Sequence, residues 1–393
     1  MSLMQKFLNK SNSYNFYKNN YNKLNKEYET LNKNYKKINK KNKKLKKKNK
    51  KLRRSLDFTS NEKDAIIKIK EKAQVEIGKI TKPKILEKLK NNEYNDLTIS
   101  IKSPNPVKSR HWGDYFFALE VKESLDKLGF NTVIHERDFW YDNEDNVDIS
   151  ILLRGLDEYA PNFDEINVMW NISHPELVKN EEYEKYDIVF VASESYSEIL
   201  NERLDTIVEP LLQCTNPNTF YEYEDYRYYE DILFVGVTRD VFRQIVKDCI
   251  DTNHEISVYG KGWEKFIDEK SIKGEFIDNK ELYRHYSSCK ILLNDHWEDM
   301  RILDFPSNRL FDALACGAFI ISDEFSSAES LFEGSIVTYK DSQDLDQKIE
   351  YYLNNDNERK LKAKKGKELV LKYHTFDNRI DTMINELKTI KLN

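Results

Sequence analysis

The feature that most constrains the fold is a regular alternation, from residue 97 onward, between short apolar runs and longer helical stretches. Helical patterns such as Tyr115–Leu128 and Glu194–Glu202 separate several of these runs. Strands that alternate with helices form parallel sheets with helices on their faces. The first series therefore predicts an α/β fold with strands at Leu97–Ile101, Thr132–His135, Asp148–Leu153, Asn167–Asn171 and Asp187–Ala192.

A second series of strand-like runs begins at Ile232 and predicts a second sheet. The sequences ILFVGV, EISVYG, GEFID, KILLND, AFIISDE and SIVTY follow one another with helical stretches between them. We expect two Rossmann-like parallel-sheet domains, residues 97–215 and 216–375, and a C-terminal helix within residues 376–393. Such sheets bind ligands at the carboxyl ends of their strands, so the pair predicts a binding cleft between the domains.

Residues 1–60 form a basic arm with a seven-residue repeat. This spacing predicts a coiled coil, in which Asn42 and Asn49 would favour one register. A second copy of the chain is the expected partner of residues 14–56, and a solvated helix is the alternative. The two series of the repeat are Tyr14, Tyr21, Tyr28, Tyr35, Asn42, Asn49, Leu56 and Tyr17, Leu24, Leu31, Ile38, Leu45, Leu52.

The charge of the chain is divided unevenly between this arm and the rest. Residues 1–54 carry 19 Lys and Arg residues against two acids, whereas the remainder carries 44 against 66. Repulsion between the lysines of paired arms would be relieved by anionic lipid headgroups, which predicts peripheral binding at the inner face of a membrane. Nucleic acid is not expected as a partner, because the body is acidic and has no base-reading motif. Residues 61–96 predict a helical connector, interrupted around Thr81-Lys82-Pro83.

Several protein classes do not fit the sequence. No run approaches the ~20 apolar residues of a membrane span, and the first residues lack the apolar core of a signal peptide. The four cysteines are far apart and form no metal-binding or disulfide pattern. We therefore expect a cytoplasmic protein without a metal site.

The candidate phosphate-binding residues follow the first strand of the second series. Gly236 ends that strand and would let the backbone approach a phosphate, which Arg239 and Arg243 would neutralise. A glycine turn with solvated arginines is the alternative. Tyr259-Gly260 ends the next strand and is compatible with stacking on a nucleobase, although a structural turn is equally compatible with these residues.

Residues 291–324 contain the most informative sequence, a strand, a loop and a helix that begins near Ser307. Ser307 and Asn308 are residue types that cap helices, so the N–H groups there would meet a diphosphate. Arg309 adds a fixed positive charge. Asp312, one turn further, would accept hydrogen bonds from both hydroxyls of a ribose.

The motif SNRLFDALACGAFIISDE resembles the donor-binding signature of the glycosyltransferases group 1 superfamily, which has the GT-B fold. It is most similar to the branch of spore-maturation CgeB-like proteins. FVGVTRDVFR, SVYGKGW and LLNDHWEDM extend the resemblance, as do HWGDYFFALEVKESLDKLGFNTVI, LLRGLDEY, MWNISHPELV and DIVFVASES in the first half. It covers roughly residues 97–380 and leaves the arm outside.

The resemblance implies roles for individual donor-side residues. Asp312 stands where relatives bind the ribose with an acid, more often Glu. Asp304 and Asp312 together occupy the positions of a paired-glutamate motif, both shortened to Asp. The positions expected to bind the diphosphate are Gly236, Arg239, Asn308 and Arg309, and those near the donor's sugar are Asn294 and His296. A surface histidine is the alternative for His296.

On the acceptor side, the sequence HWGD follows the first strand and opens the first helix. The resemblance implies that this loop faces the donor sugar, so that Asp114 or His111 would orient or deprotonate the acceptor hydroxyl. Helix capping is the alternative role of Asp114. Arg154, His174 and Glu176 also follow strands and are expected to face the cleft, unless they are structural.

The predicted function is transfer of a sugar from a nucleotide donor, UDP- or GDP-linked, to a glycan, lipid-linked or protein acceptor, with no further cofactor. Cell-surface glycan synthesis is the expected setting. A nucleotide-sugar epimerase of the same fold is one alternative, and a catalytically inactive coiled-coil scaffold is another. Gly236, Arg309 and Asp312 argue against the scaffold, because a scaffold needs no donor site.

Overall fold

The computed structural model describes residues 37, 40, 41, 44, 47, 65–141, 146–252 and 254–392. The predicted coiled coil of residues 14–56 lies almost entirely outside the described residues, and the five described arm residues are helical. The chain divides into two units, Met1–Ala73 and Gln74–Asn393, and the second contains both predicted sheets. No helix among the described residues is long and apolar enough to cross a membrane.

The first sheet has six strands in the order β2-β1-β3-β4-β5-β6, and all of its pairings are parallel. β3 and β4 are buried along their whole length. The strands are β1 (Thr98–Ser103), β2 (Asn131–Glu136), β3 (Ile149–Arg154), β4 (Ile166–Asn171), β5 (Ile188–Val191) and β6 (Val208–Pro210). The helices before and between them are α1 (65–90), α2 (Gly113–Leu128), α3 (Asn180–Tyr183) and α4 (Glu194–Asn201).

The second sheet also has six parallel strands, in the order β12-β11-β10-β7-β8-β9. They are β7 (Glu230–Val235), β8 (Ser257–Tyr259), β9 (Ile272–Gly274), β10 (Cys289–Asn294), β11 (Ile320–Asp323) and β12 (Val337–Tyr339). The helices are α5 (Gln244–Asp251), α6 (Leu282–Ser288), α7 (Glu298–Ile302), α8 (Asn308–Ala315), α9 (Ala328–Phe332), α10 (Ser342–Asn354), α11 (Asp356–Tyr373) and α12 (Phe376–Leu387).

The predicted architecture of two Rossmann-like parallel sheets is confirmed, with three differences in detail. β6, which has only three residues, was not predicted, and β9 begins two residues before the predicted run. The predicted break around Pro83 is wrong, because α1 is helical through that residue. Tertiary contacts hold this stretch: the Thr81 hydroxyl donates to the Asp164 carbonyl at 2.7 Å, and Lys82 pairs with Asp187 at 2.8 Å.

The chain crosses between the sheets twice, at neighbouring places. Thr215 forms an isolated parallel bridge with Thr375, just before α12. α12 then packs into the core of the first sheet through side chains that include Phe376, Ile380 and Met383. The last helix therefore belongs to the core of the first domain rather than to the domain it follows in sequence.

A hydrophobic cluster joins the two halves near the ends of their strands. It contains Trp140, Met169 and Tyr183 from the first half, together with Met300 and Phe305 from the loop between β10 and α8. The Ser193 hydroxyl donates to the Leu303 carbonyl at 2.7 Å in the same region. This loop of the second domain is thus packed into the first domain at the cleft.

Candidate active site

The loop after β7 is held close to the loop after β8 by two contacts on Gly236. Its N–H donates to the Tyr259 carbonyl at 2.8 Å, and its carbonyl accepts from Trp263 Nε1 at 2.8 Å. Gly260 has a φ of +148°, and a Cβ added there would lie 2.1 Å from the Gly236 oxygen. Only glycine fits at residue 260, so the two predicted glycines form one tight turn at the strand ends. The Tyr259 ring packs edge-on against His285 at 4.9 Å.

Arg239 lies in the left-handed region with a φ of +52°. In residues 65–141, 146–252 and 254–392 its guanidinium has no ion pair or hydrogen bond, and its carbon lies 4.9 Å from the centre of the Trp297 ring. Burial and repulsion from Arg243 lower the pKa of Arg239, while the Asp114 carboxylate opposes this shift. The arrangement leaves a positive charge without a carboxylate partner, with its hydrogen-bond donors free, facing the first domain.

Arg243 is held differently from Arg239, although both were predicted to bind the donor. Its guanidinium makes two hydrogen bonds to the Asp295 carboxylate, at 2.5 and 2.7 Å, and both side chains are less than a tenth exposed. A further hydrogen bond reaches the Val237 carbonyl at 3.3 Å. Because Asp295 neutralises this charge, Arg243 supports the loop after β7 and is less available to a ligand.

Arg309, on the first turn of α8, reaches back to the loop after β7. Its Nη1 donates to Asn294 Oδ1 at 2.8 Å, and its Nη2 would lie 3.2 Å from a Cβ at Gly236. Asn294 is fully buried and also donates to the Ser322 hydroxyl at 2.9 Å. Asn294 therefore orients Arg309, whereas the sequence predicted that it lies near the donor's sugar.

His296 is enclosed, in contrast to the prediction of a catalytic residue. Its side chain has no exposed area, its Nδ1 lies 2.6 Å from an Asp323 carboxylate oxygen, and its Nε2 accepts the Ser307 N–H at 3.0 Å. Both ring nitrogens are occupied, so the ring links β10 and β11 to the start of α8 and has no nitrogen left for proton transfer. Because the Ser307 N–H already donates to His296, it is not free to bind a diphosphate as the sequence predicted.

No side chain caps α8, so the N–H groups of Asn308 and Arg309 in its first turn stay available to an anion, while that of Leu310 donates to the Ser307 carbonyl at 3.0 Å. Asn308 donates to Asp312 at 2.7 Å, while its own side-chain oxygen is buried without a partner among the described residues. Burial raises the pKa of Asp312 well above its usual range. The pair presents a carboxyl and an unsatisfied amide oxygen, which suits the two hydroxyls of a ribose. Asp304 instead accepts from the Ser327 N–H and hydroxyl, both at 2.9 Å, and holds a turn.

Asp114 lies at the start of α2, on the opposite side of the cleft. Burial raises its pKa, and the charges of Arg239 and His174 oppose that shift. No cap hydrogen bond from a side chain is formed at the start of this helix. Asp114 is thus a carboxyl that faces the cation of the other domain, and it does not cap its helix.

His174 and Glu176 meet Asp299 of α7 across the cleft. His174 Nδ1 lies 3.2 Å from Glu176, and the ligand atoms of all three residues lie within 4.8 Å of one another. Burial and the neighbouring Asp299 raise the pKa of Glu176, and Asp299 Oδ2 is buried without a partner among the described residues. Side chains of these types can hold a divalent cation or share a proton. The sequence predicted no metal site, since residues 176 and 299 are far apart in the chain.

The two remaining acceptor-side predictions differ from each other. His111 is exposed and contacts Phe276 of the second domain, with ring centres 6.3 Å apart. Arg154 is only 2% exposed and forms a buried pair with Glu182 at 2.6 Å, so its side chain fastens α3 to the sheet and does not face the cleft.

Sequence reasoning missed three residues that shape the site: Asp295, Trp297 and Asp299. All lie in HWED or directly before it, within the motif LLNDHWEDM. In this motif the resemblance implied roles only for Asn294 and His296. The sequence carried no signal for the pairing of Asp295 with Arg243, because only the folded domain shows that Arg243 is buried and therefore needs a carboxylate partner. Nothing in the sequence signalled the packing of Trp297 on both arginines.

Comparison with known proteins shows that the second domain is similar to glycosyl transferase-like proteins. Residues 239–385 match the family described as glycosyl transferase-like. Over 169 residues, or 39% of the chain, the sequence is 26% identical to the spore protein CgeB of Bacillus subtilis (strain 168). The match covers 52% of that protein, so the chain spans about half the length of this curated relative.

Several solved structures have the same fold as this chain, and the alignments cover almost the entire length of those structures. Sucrose-phosphate synthase from Thermosynechococcus elongatus aligns with a TM-score of 0.58 at 12% identity, covering 74% of this chain and 99% of that one. Anabaena HepE, solved in complex with UDP and glucose, aligns with a TM-score of 0.55 at 9% identity, covering 75% and 100%. The fold is GT-B, and the resemblance to the CgeB-like branch that the motifs indicated is confirmed.

Proposed function

We propose that this protein is a glycosyltransferase that uses a nucleoside-diphosphate sugar as donor. One observation carries the proposal: Arg239 and Arg309, neither with a salt-bridge partner among the described residues, lie close enough to repel each other, and Arg309 reaches Gly236 at the carboxyl end of β7. Two guanidinium groups without a carboxylate partner, one beside a tight glycine turn and one three residues after it in sequence, form a site for a doubly charged anion. The match of residues 239–385 to glycosyl transferase-like proteins supports this assignment.

In the proposed donor complex, the diphosphate lies between Arg239, Arg309 and the first turn of α8. The ribose hydroxyls meet Asp312 and the unpartnered oxygen of Asn308. The base lies beside Tyr259, whose ring is half-buried. UDP is the donor nucleotide to test first, because Anabaena HepE was solved with UDP and glucose.

The chemical step breaks the bond between the anomeric carbon and the diphosphate oxygen and forms a bond to an acceptor oxygen. The arginines stabilise the charge that develops on the leaving nucleoside diphosphate. Where the reaction inverts the anomeric centre, the Asp114 carboxylate accepts the proton of the attacking hydroxyl. Burial raises the pKa of Asp114, which makes it a stronger base than an exposed aspartate once it is ionised.

The acceptor is proposed to be a glycan, lipid-linked sugar or protein in cell-surface glycan synthesis, reached from the side of Asp114, His111 and His174. The basic arm is proposed to pair with a second copy through residues 14–56 and to bind an anionic membrane surface. Support for both roles of the arm comes from the sequence: the seven-residue repeat and the excess of lysine.

Donor binding is tested by calorimetry and thermal shift with UDP-glucose and GDP-mannose. A ligand present at 100 times its Kd stabilises the folded protein by about 2.7 kcal/mol. We expect one nucleotide sugar to bind the wild type, and Arg309→Ala to abolish binding without lowering Tm substantially. Arg203→Ala, at an exposed arginine that forms no salt bridge among the described residues, is the matched control and should bind as the wild type does.

Transfer is tested by product analysis with the donor that binds. Asp114→Asn should lower turnover by at least the ~100-fold typical of a lost general base, with donor affinity unchanged. A free sugar or a glycosylated acceptor supports the proposal, whereas a donor epimerised at C2 would replace it by the epimerase alternative. Failure of every nucleotide sugar to bind would refute the donor site.

A further inference from the structure

Trp297, directly before α7, contacts both arginines that follow β7. The guanidinium carbons of Arg239 and Arg243 lie 4.9 and 4.8 Å from the centre of its ring. Both distances are within the ~6 Å over which a cation is attracted to an aromatic face, and tryptophan is the strongest such partner. One indole ring thus contacts two positive charges at the edge of the proposed donor site.

The two arginines depend on this ring to different degrees. Arg243 is fixed by its two hydrogen bonds to Asp295. Arg239 has no hydrogen bond or ion pair within the described residues, and its backbone is in the left-handed region. The contact with Trp297 is therefore the specific interaction that sets the direction of the Arg239 side chain.

Electrostatic forces in the cleft would otherwise move Arg239 away from the phosphate-binding position. Arg243 and Arg309 repel it, and the carboxylates of Asp114 and Asp299 attract it towards the first domain and α7. A guanidinium drawn to either carboxylate would leave the face of the Trp297 ring and the position where the diphosphate is proposed to bind. The indole ring offers a fixed surface without negative charge, so it holds the cation while leaving its N–H groups free for an anion.

Trp297 is itself held by both domains. It packs against the hydrophobic cluster that contains Met300 and Phe305 of its own loop together with Trp140 and Tyr183 of the first domain. The position of Arg239 therefore depends on how the β10–α8 loop is packed in the first domain.

We infer that Trp297 is a positioning residue for the donor diphosphate: it holds the Arg239 guanidinium by a cation–π contact in the place where the leaving group binds. This inference rests on the proposed function. It assigns Trp297 a role in recognising the charged diphosphate rather than the nucleoside.

The test measures binding of UDP and of uridine to the full-length chain carrying Trp297→Phe, Trp297→Leu, Arg239→Gln or the double change Trp297→Leu/Arg239→Gln. A cation–π contact contributes roughly 0.5 to 2 kcal/mol, so Trp297→Leu should weaken UDP binding by about two- to thirty-fold. Trp297→Phe, which keeps a weaker aromatic face, should be intermediate. Uridine affinity should not change, because uridine carries no diphosphate.

The double change separates positioning from general damage. If Trp297 acts through Arg239, the double variant should bind UDP no more weakly than Arg239→Gln alone. Tyr373→Leu, which removes an exposed ring 4.6 Å from Lys372, is the control and should bind UDP normally.

Three results would overturn the inference: equal UDP affinity of Trp297→Leu and wild type, equal losses for UDP and uridine, or additive losses in the double variant. If Trp297→Leu does not fold, UDP binding by Trp297→Phe is compared instead with that of the wild type and of Arg239→Gln. A UDP affinity of Trp297→Phe equal to that of the wild type would then also overturn the inference. Failure of the wild type to bind UDP or any other nucleotide would instead refute the proposed function.

Discussion

Removing the carboxylate of Asp295 should destabilise the second domain strongly. Asp295 makes two hydrogen bonds to Arg243, at 2.5 and 2.7 Å, and the side chains are 7% and 9% exposed. Asp295→Ala leaves a buried guanidinium without its counter-charge, and breaking one half of such a pair costs about 3 to 5 kcal/mol. For a domain of this size each kcal/mol lowers Tm by about 2 to 4 °C, so the expected loss is roughly 6 to 20 °C.

Urea unfolding followed by tryptophan fluorescence measures this loss as a free energy, and calorimetry gives Tm. The double change Arg243→Met/Asp295→Leu removes both charges and should recover most of the stability, because an apolar pair of similar volume can replace a buried ion pair. Lys265→Ala, which breaks the exposed pair with Asp240, is the control and should leave Tm unchanged. A loss below about 1 kcal/mol in Asp295→Ala would show that solvent reaches Arg243 and that the pair is not structural.

Three further predictions follow from the site and the arm. Gly260→Ala should lower Tm and weaken nucleotide binding, because its Cβ would meet the Gly236 oxygen at 2.1 Å, whereas Gly113→Ala, with open space around its Cβ, should keep the wild-type Tm. Burial raises the pKa of Asp312, so its contribution to stability is present at low pH and is lost as the pH rises through the folded pKa. The Tm of Asp312→Asn should therefore fall less than that of the wild type between about pH 4 and about pH 8, and parallel curves would contradict the shift. Deletion of residues 1–56 should leave nucleotide binding intact and abolish self-association or vesicle binding, as sedimentation and flotation would measure; a full-length chain that is monomeric and ignores anionic vesicles would refute both roles of the arm.

The fold was predictable because its signal is local and repeated. Each buried strand of the first sheet appears as a short apolar run, as in Asp148–Leu153 for β3, and turn residues mark many of its ends. The strand β6 was not predicted, because three residues are too few to show a strand-like apolar pattern. Helix α1 continues through Pro83 because contacts with Asp164 and Asp187 outweigh the local preference of proline.

The site was predictable only in part, because a motif gives the order of residues and not their partners. Arg309 does reach Gly236 at the end of β7, and Arg239 follows on the same loop. His296 and Arg154 are of the residue types expected in a cleft, yet each is buried and occupied by a carboxylate. Which carboxylate pairs with which cation depends on contacts between residues distant in sequence, and these follow from the packing of the whole domain.

The return of α12 to the first sheet has a consequence for synthesis of the protein on the ribosome. Domains generally fold in the order in which they are made, yet here the core of the first sheet includes Phe376, Ile380, Met383, Ile384 and Leu387. While residues 216–375 are being translated, the apolar surface that α12 later covers remains open to water. The nascent first half is therefore a natural client for chaperones that bind exposed apolar surface, and it completes its core only when the segment from residue 376 onward leaves the exit tunnel.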